Sequence, residues 1–558
     1  MTGAEALVAG LRAHGVDRVF CVAGESYLAL LDALYGVAAI DVVTCRHEGS
    51  AGFMAIADAK LTGRAGVCLV HRGPGATNAS IAVHAAAQDA TPLVLLVGHV
   101  ETRQIGRDAF QELDCVRMFS GLAKAVWVVH DPADAPELLA RAFRAAESGT
   151  PGPAVLALPE DVLARSGAAA ALAPAPEEPL APAQPTVERI LALLAEARRP
   201  LLLTGGRLAS RDGRDALLAC SERHSLPVAT SNKHQDVFDN RHAHYAGHLH
   251  NTTRPRQLET FDRADLVLAV GTRLDEVTTR GGRFPRAPVP DQPLVHVYPD
   301  PGRLGAVHRP ALSLACDPVE LVRALARRPP ARLHPERLAW IEELHAIETR
   351  NAQWDGAWAD DGVVVGDVVA TLERLTHGEA VVVVDSGTFT SWVYRYFRFA
   401  RTGTLLGISS SAMGFGVPAA VASALRVRDV PTVAVVGDGG FLMNGGELAT
   451  AVARRLPLVV VVSNNGSYGT IRLHQERAYP GRCIATDLVN PDFALLAEAY
   501  GAGGETVRAR EELEPVLAAA LGSGGPVVVD VATSLSWVTP YERIETVSEP
   551  IEALDGRR

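Results

Sequence analysis

Short apolar runs, rich in valine and leucine, recur along the whole chain and alternate with stretches whose apolar positions follow the helical period. The runs scarcely alternate between apolar and polar residues. That pattern suits strands covered on both faces, as in parallel sheets reached through βαβ crossovers. Strands are expected at Arg18–Val22, Val42–Cys45, Val67–Val70 and Leu93–Val97, then at Leu201–Leu203, Leu266–Val270 and Val295–Val297. A third group follows at Ala380–Val384, Thr432–Val436, Leu458–Ser463 and Val527–Val531. Two stretches interrupt the pattern. The Ala/Pro-rich segment from Arg165 to Thr186 reads as a semi-rigid surface linker. A second boundary falls between Arg327 and Asp361, where Arg328-Pro329-Pro330 precedes an expected helix over Glu336–Arg350. The fold class is therefore α/β, with three doubly wound parallel-sheet domains over residues 1–165, 186–327 and 361–540. No short-period repeat is visible, so any likeness between the first and third domains is a matter of fold.

Two of the expected strands end in unusual chemistry. Val433-Ala434-Val435-Val436 runs into Gly437-Asp438-Gly439-Gly440, and Leu458-Val459-Val460-Val461-Val462 runs into Ser463-Asn464-Asn465. Asp438 offers a hard carboxylate, and its glycines let backbone N–H groups approach phosphate oxygens. Asn465 offers an amide oxygen, and the turn at Gly466-Ser467 offers a backbone carbonyl, taken at Ser467. One carboxylate, one amide and one carbonyl suit Mg²⁺, which takes its remaining ligands from water and substrate phosphates. Alone, either motif is an ordinary turn. Paired at the carboxyl ends of strands, with Gly446 to Arg454 between them reading as one helix, they mark a ligand site.

Composition narrows the field. The chain has 558 residues, is 48% hydrophobic and carries a formal charge of −11, which gives no basic footprint for nucleic acid. The cysteines are scattered singly, as expected for a reducing cytoplasm. No apolar run reaches membrane-spanning length, so no membrane partner is expected. Of the 53 basic residues, Lys60, Lys124 and Lys233 alone are lysines, which leaves few candidates for Schiff-base chemistry.

The Gly-Asp-Gly and Asn-Asn pair is the signature of thiamine diphosphate enzymes, and the chain resembles their acetolactate synthase branch over nearly its whole length. That resemblance implies thiamine diphosphate and Mg²⁺ as cofactors, with the metal held by Asp438, Asn465 and Ser467. In Arg46-His47-Glu48, Glu48 alone could merely favour a helix N-terminus; the resemblance makes it the catalytic glutamate that polarises the coenzyme's aminopyrimidine. Arg72-Gly73-Pro74-Gly75-Ala76-Thr77-Asn78 matches the string lining the pyrimidine site, so Pro74 and Asn78 are implied contacts. Gly106-Arg107-Asp108-Ala109-Phe110-Gln111 resembles a loop that brings Phe110 against substrate and Gln111 to the catalytic centre. Gly387, Thr388 and Phe389 match the diphosphate loop, with Gly437, Gly439 and Gly440 beside it. Met413 matches an apolar wedge under the coenzyme, and the Ser411 carbonyl the acceptor for its 4′-amino group.

The departures concern substrate. In Arg273-Leu274-Asp275-Glu276-Val277-Thr278, Val277 stands where the synthases have an arginine that binds the acceptor's carboxylate. His474 replaces a tryptophan that favours a larger acceptor, and Glu25 stands where the synthases have glycine and simple decarboxylases an acid. Glu25 reads either as a proton donor or as a solvated loop acid. Gly205-Gly206-Arg207, Gly271, Arg273 and Asp275 keep part of the synthases' FAD pattern while Val277 and His248-Leu249-His250 break it, so FAD is left open. The expected protein is a homo-oligomer with its cofactor at the subunit interface. It forms an acyl carbanion from pyruvate or a similar 2-oxo acid and transfers it to an acceptor. A simple decarboxylase releasing an aldehyde, an FAD-dependent 2-oxo acid oxidase and a non-catalytic nucleotide-binding relative are the alternatives.

Overall fold

The computed structural model describes residues 1–175, 178–330 and 332–544. Among the described residues eighteen strands form three six-stranded sheets, and every pairing within them is parallel. The first contains β1 (Arg18–Cys21), β2 (Asp41–Thr44), β3 (Gly66–His71), β4 (Leu93–His99), β5 (Ala125–Val128) and β6 (Pro153–Pro159), in the order β2-β1-β3-β4-β6-β5. The middle sheet holds β7 (Pro200–Thr204), β8 (Val228–Thr230), β9 (Tyr245–His248), β10 (Leu266–Val270), β11 (Leu294–Val297) and β12 (Leu312–Leu314). Its order, β12-β11-β10-β7-β8-β9, is that of a dinucleotide-binding sheet. The third sheet contains β13 (Val381–Val384), β14 (Leu405–Leu406), β15 (Thr432–Gly437), β16 (Leu458–Asn464), β17 (Gly503–Val507) and β18 (Pro526–Ala532). It repeats the order of the first, β14-β13-β15-β16-β18-β17. The expected strands are present, with ends shifted by a residue or two.

Two expectations need correction. The stretch expected as one helix from Gly446 to Arg454 is broken: a helix over Asp438–Asn444 passes through a 3₁₀ turn at Gly445–Glu447 into a short helix at Leu448–Ala453. The Gly445-Gly446 pair has little helical propensity, and the turn points Glu447 into the interior, where it is 1% exposed. The linker expected to reach Thr186 ends earlier, because a helix begins at Gln184. The described part of that linker is largely exposed. Its ends are tied down: Gly167 N and Ala168 N donate to the carbonyl of Met1, and Asp317 N donates to that of Leu180.

The first and third domains share one core. The helix Glu48–Thr62 packs on the helix Gly416–Arg426, with Phe53 edge-on to Phe415 at 5.7 Å between centroids. Glycine permits the layer behind it, since a Cβ on Gly52 would lie 2.3 Å from that of Ala82. At the rim Arg426 grips Asp58 and Asp17 with bonds of 2.8 Å each, and Arg454 donates to Asp41 at 2.9 Å. All seven cysteines are free, and no described helix is long and apolar enough to cross a membrane.

Candidate functional site

At the carboxyl ends of β13, β15 and β16 lies a cavity of about 230 Å³. Its walls bring together Gly387, Thr388 and Phe389, then Ser411 and Met413, then Gly437 to Gly440, and finally Asn465 and Ser467. Residues spread over four sequence motifs thus converge on one space. Tyr468, Thr470, Trp537 and Val538 also line it without having been anticipated. The glycines are needed for close approach: a Cβ on Gly439 would stand 2.4 Å from the Tyr468 ring, and one on Gly437 2.9 Å from Phe389.

Asp438 opens its helix and is 3% exposed. Gly439 N donates to its Oδ1 at 2.8 Å, and Asn490 Nδ2 donates to its Oδ2 at 2.8 Å. Burial raises the Asp438 pKa, opposed by these donors. Asn490 also donates to Asn464 Oδ1, while its own Oδ1 is buried without a partner. Asn465 Oδ1 accepts from Ser467 N at 3.1 Å. The buried Asp438 carboxylate, with Asn465 and Ser467 on the same cavity wall, fits a hard cation that draws its other ligands from a diphosphate. Among the described residues no three His, Cys, Asp or Glu side chains gather as a metal cage. Nearby, buried Asp385 accepts from Ser386 N, Gly414 N and Gly416 N and so fixes the turn that carries Met413. Burial raises its pKa as well.

A second group forms at the carboxyl ends of β1, β2 and β3. Glu48 is the first residue of its helix, capped by His47, whose Nδ1 accepts from Gly49 N at 3.0 Å. Asn78 Nδ2 donates to Glu48 Oε2 at 2.9 Å, and the missing side chain of Gly75 leaves room beside Oε1. Glu447, reaching from the third domain of the same chain, accepts from Arg46 N at 2.7 Å and His47 N at 3.2 Å. The string containing Pro74 is itself the opening of a helix, Arg72–Asp89.

Gln111 and Phe110 lie on an adjoining loop, with Phe110 75% exposed. His71 Nδ1 meets both Ser26 N (3.3 Å) and Ser26 Oγ (2.7 Å), so Nδ1 is the acceptor and the proton sits on Nε2. Nε2 then donates to Gln111 Oε1 at 2.9 Å. Glu25 is 3.3 Å from Arg72, whose other nitrogen donates to Glu160 at 3.0 Å. None of Glu25, Glu48, Pro74, Asn78, Phe110 and Gln111 lines the cavity of the third domain, and His474 is exposed on the helix Gly469–Ala478.

The residues of the flavin pattern are engaged within the protein. A Cβ on Gly206 would lie 2.6 Å from the His234 ring. Arg273 donates to the Gln88 carbonyl at 2.7 Å, and both oxygens of Asp275 accept from Thr278. Desolvation lowers His234 to about 4 and His248 and His250 to about 3, so all three are uncharged at neutral pH.

Three family models cover the chain in order: the N-terminal TPP binding domain of thiamine pyrophosphate enzymes over residues 1–118, the central domain over 187–325 and the C-terminal TPP binding domain over 385–531. The chain is 34% identical over 547 residues to the acetolactate synthase large subunit of Parasynechococcus marenigrum, covering 95% of this chain and 87% of that one. It belongs to the thiamine pyrophosphate enzymes of the acetolactate synthase type. The isozyme 2 large subunit of Escherichia coli is 30% identical over 535 residues, covering 95% of each chain, and the isozyme 3 large subunit 32% over 538, covering 93% and 92%. In a synthase-type enzyme, sequence motifs pointed to most of the cavity wall. They did not single out Asn490, Glu447 or His71, whose partners lie far off in sequence.

Proposed function

We propose that this enzyme binds thiamine diphosphate with Mg²⁺, decarboxylates pyruvate or a close analogue, and passes the acyl unit to an acceptor that lacks a carboxylate. The observation that carries the reading is the convergence of Asp438, Asn465, the glycine cradles and Met413 on one cavity. When bound, the coenzyme supplies an electron sink for the carbanion left by decarboxylation. The protein does the rest. Asp438, Asn465 and the Ser467 carbonyl would hold the metal, while Gly387 to Phe389 and Gly437 to Gly440 would face the diphosphate. Ser411 would accept from the 4′-amino group. Glu48, with one oxygen fixed by Asn78, would be the group placed to exchange a proton with the aminopyrimidine nitrogen. Gln111, oriented through His71, and Phe110 would flank the reacting centre from the first domain.

The flavin is not part of this reading: Gly205-Gly206-Arg207, Gly271, Arg273 and Asp275 keep only part of the flavin pattern, and Val277 and His248-Leu249-His250 break it. The acceptor follows from the residues missing on its side. With Val277 for arginine and His474 for tryptophan, a second oxo acid loses a bidentate anchor.

Incubating the protein with thiamine diphosphate, Mg²⁺, pyruvate and a competing aldehyde or ketone, with mass spectrometry of products, tests this. Carbon dioxide release with transfer chiefly to the uncharged acceptor is expected. Val277→Arg should raise the acetolactate share about tenfold, the scale of one charge-assisted contact. Rapid acetolactate formation by the wild type would overturn the acceptor assignment. Release of free aldehyde alone would favour the simple decarboxylase, with Glu25 as its acid.

A further inference from the structure

Lys233 is buried, 6% exposed, and its backbone is left-handed at φ +59°. Its side chain leaves the middle domain and enters the third, where Nζ donates to the carbonyl of Ile408 and to Ser411 Oγ, the latter at 3.3 Å. Ser411 is left-handed too, at φ +51°, and lines the cavity. Two residues with side chains thus hold sparsely populated backbone conformations and touch across a domain boundary, an arrangement that persists only where surrounding bonds impose it.

The bonds come from both sides. Asp89 of the first domain accepts from Ser409 N at 2.9 Å and Ser409 Oγ at 3.0 Å, and Lys60 neutralises Asp89 at 2.7 Å. Lys233 grips the other end of the same turn. Burying an ammonium against a carbonyl and a hydroxyl, rather than against a carboxylate, is a costly way to tie two domains together. A neutral side chain would serve if adhesion were the only purpose.

We propose that Lys233 is a positioning residue whose ammonium holds the 408–411 turn so that Ser411 presents its carbonyl to the coenzyme's 4′-amino group. The inference rests on the coenzyme reading given above. It lies wholly within one chain and needs no assumption about assembly.

The charge gives the proposal a readout. The groups facing Lys233 are Asp89 and Lys60 of the first domain, Asp385 of the third and His250 of the middle domain. Desolvation outweighs the two carboxylates and lowers the Lys233 pKa from 10.5 to about 8. As pH rises through about 8 the third proton leaves, the donation weakens and coenzyme affinity should fall. Folding stability moves the other way. Between about 8 and 10.5 the unfolded chain holds a proton that the folded chain lacks, so this residue makes stability rise with pH over that interval. A general alkaline loosening would lower both.

Calorimetric titration of the full chain with thiamine diphosphate and Mg²⁺, from neutral pH to above the value of Lys233, decides the matter. Wild-type affinity is expected to drop about tenfold or more across the interval. Lys233→Arg should hold its affinity there, because guanidinium stays protonated. Lys233→Met should bind weakly at neutral pH and show no titration. A flat wild-type profile, or a Lys233→Met variant that binds and titrates as wild type, overturns the proposal. If the methionine variant does not fold, the wild-type and arginine profiles still decide. Asp438→Ala separates the two layers: normal affinity in that variant would remove the coenzyme reading itself, whereas its loss beside an unaffected Lys233→Met would remove only the role of Lys233.

Discussion

The bond from Asn78 to Glu48 Oε2 holds one oxygen of the carboxyl and leaves the other for chemistry. Glu48→Gln keeps the volume and an acceptor for Asn78 but cannot exchange a proton. It should therefore bind coenzyme like the wild type while proton exchange at the coenzyme's C2 slows roughly 10²–10⁴-fold. Following that exchange by NMR checks it, and an unchanged rate would take the role away from Glu48. At this scale, what could be read in advance was what lies close in sequence. Gly437 to Gly440 and Asn464-Asn465 announce themselves because a strand end, a carboxylate and glycines fall within a few residues of each other. Asn490 could not be read that way, since it reaches Asp438 from 52 positions away. Glu447 is more distant still, 401 positions from the Arg46 amide it clamps. Their meaning depends on which strand ends become neighbours, and sequence alone does not give that.

Elements were legible where burial dictated them. The four valines of β13 and the five apolar residues that open β16 have no polar face to offer, so they fit only the interior of a covered sheet. The segment after Asp438 misled because its apolar positions suit a helix while two glycines interrupt it. The two glycines are not equivalent. A Cβ on Gly445 would meet the Phe441 ring at 2.7 Å, whereas one on Gly446 has only the Tyr500 hydroxyl at 3.8 Å. Gly445→Ala should cost about 1–3 kcal/mol through overpacking. Gly446→Ala should be neutral or stabilising by up to about 1 kcal/mol, because it narrows the unfolded ensemble. Thermal unfolding of the two variants side by side measures the contrast. Equal losses would mean that the turn itself, rather than the Phe441 contact, requires both glycines.

In the molecule as a whole, the first and third domains of a chain are fastened to each other by the shared Phe53–Phe415 core, the Arg426 grip and the Glu447 clamp. Glu48 is held in that assembly outside the cavity that holds Asp438. We propose that a complete site pairs the Glu48 of one copy with the Asp438 of another. Glu48→Gln and Asp438→Ala chains, each inactive alone, should regain part of the activity when co-assembled. A fully active monomer in analytical ultracentrifugation would contradict this. The sequence foretold three parallel sheets but not that the first and third share one strand order, because strand order is settled by crossovers that leave no local mark.

The Ala/Pro connection between the first and middle sheets, largely exposed over its described residues, is pinned to Met1 on one side and to Asp317 on the other. It therefore need not carry load. A protease that severed it would leave two fragments still held by everything else, which makes this connection the natural place to split the protein into separately expressed halves or to graft in a foreign segment.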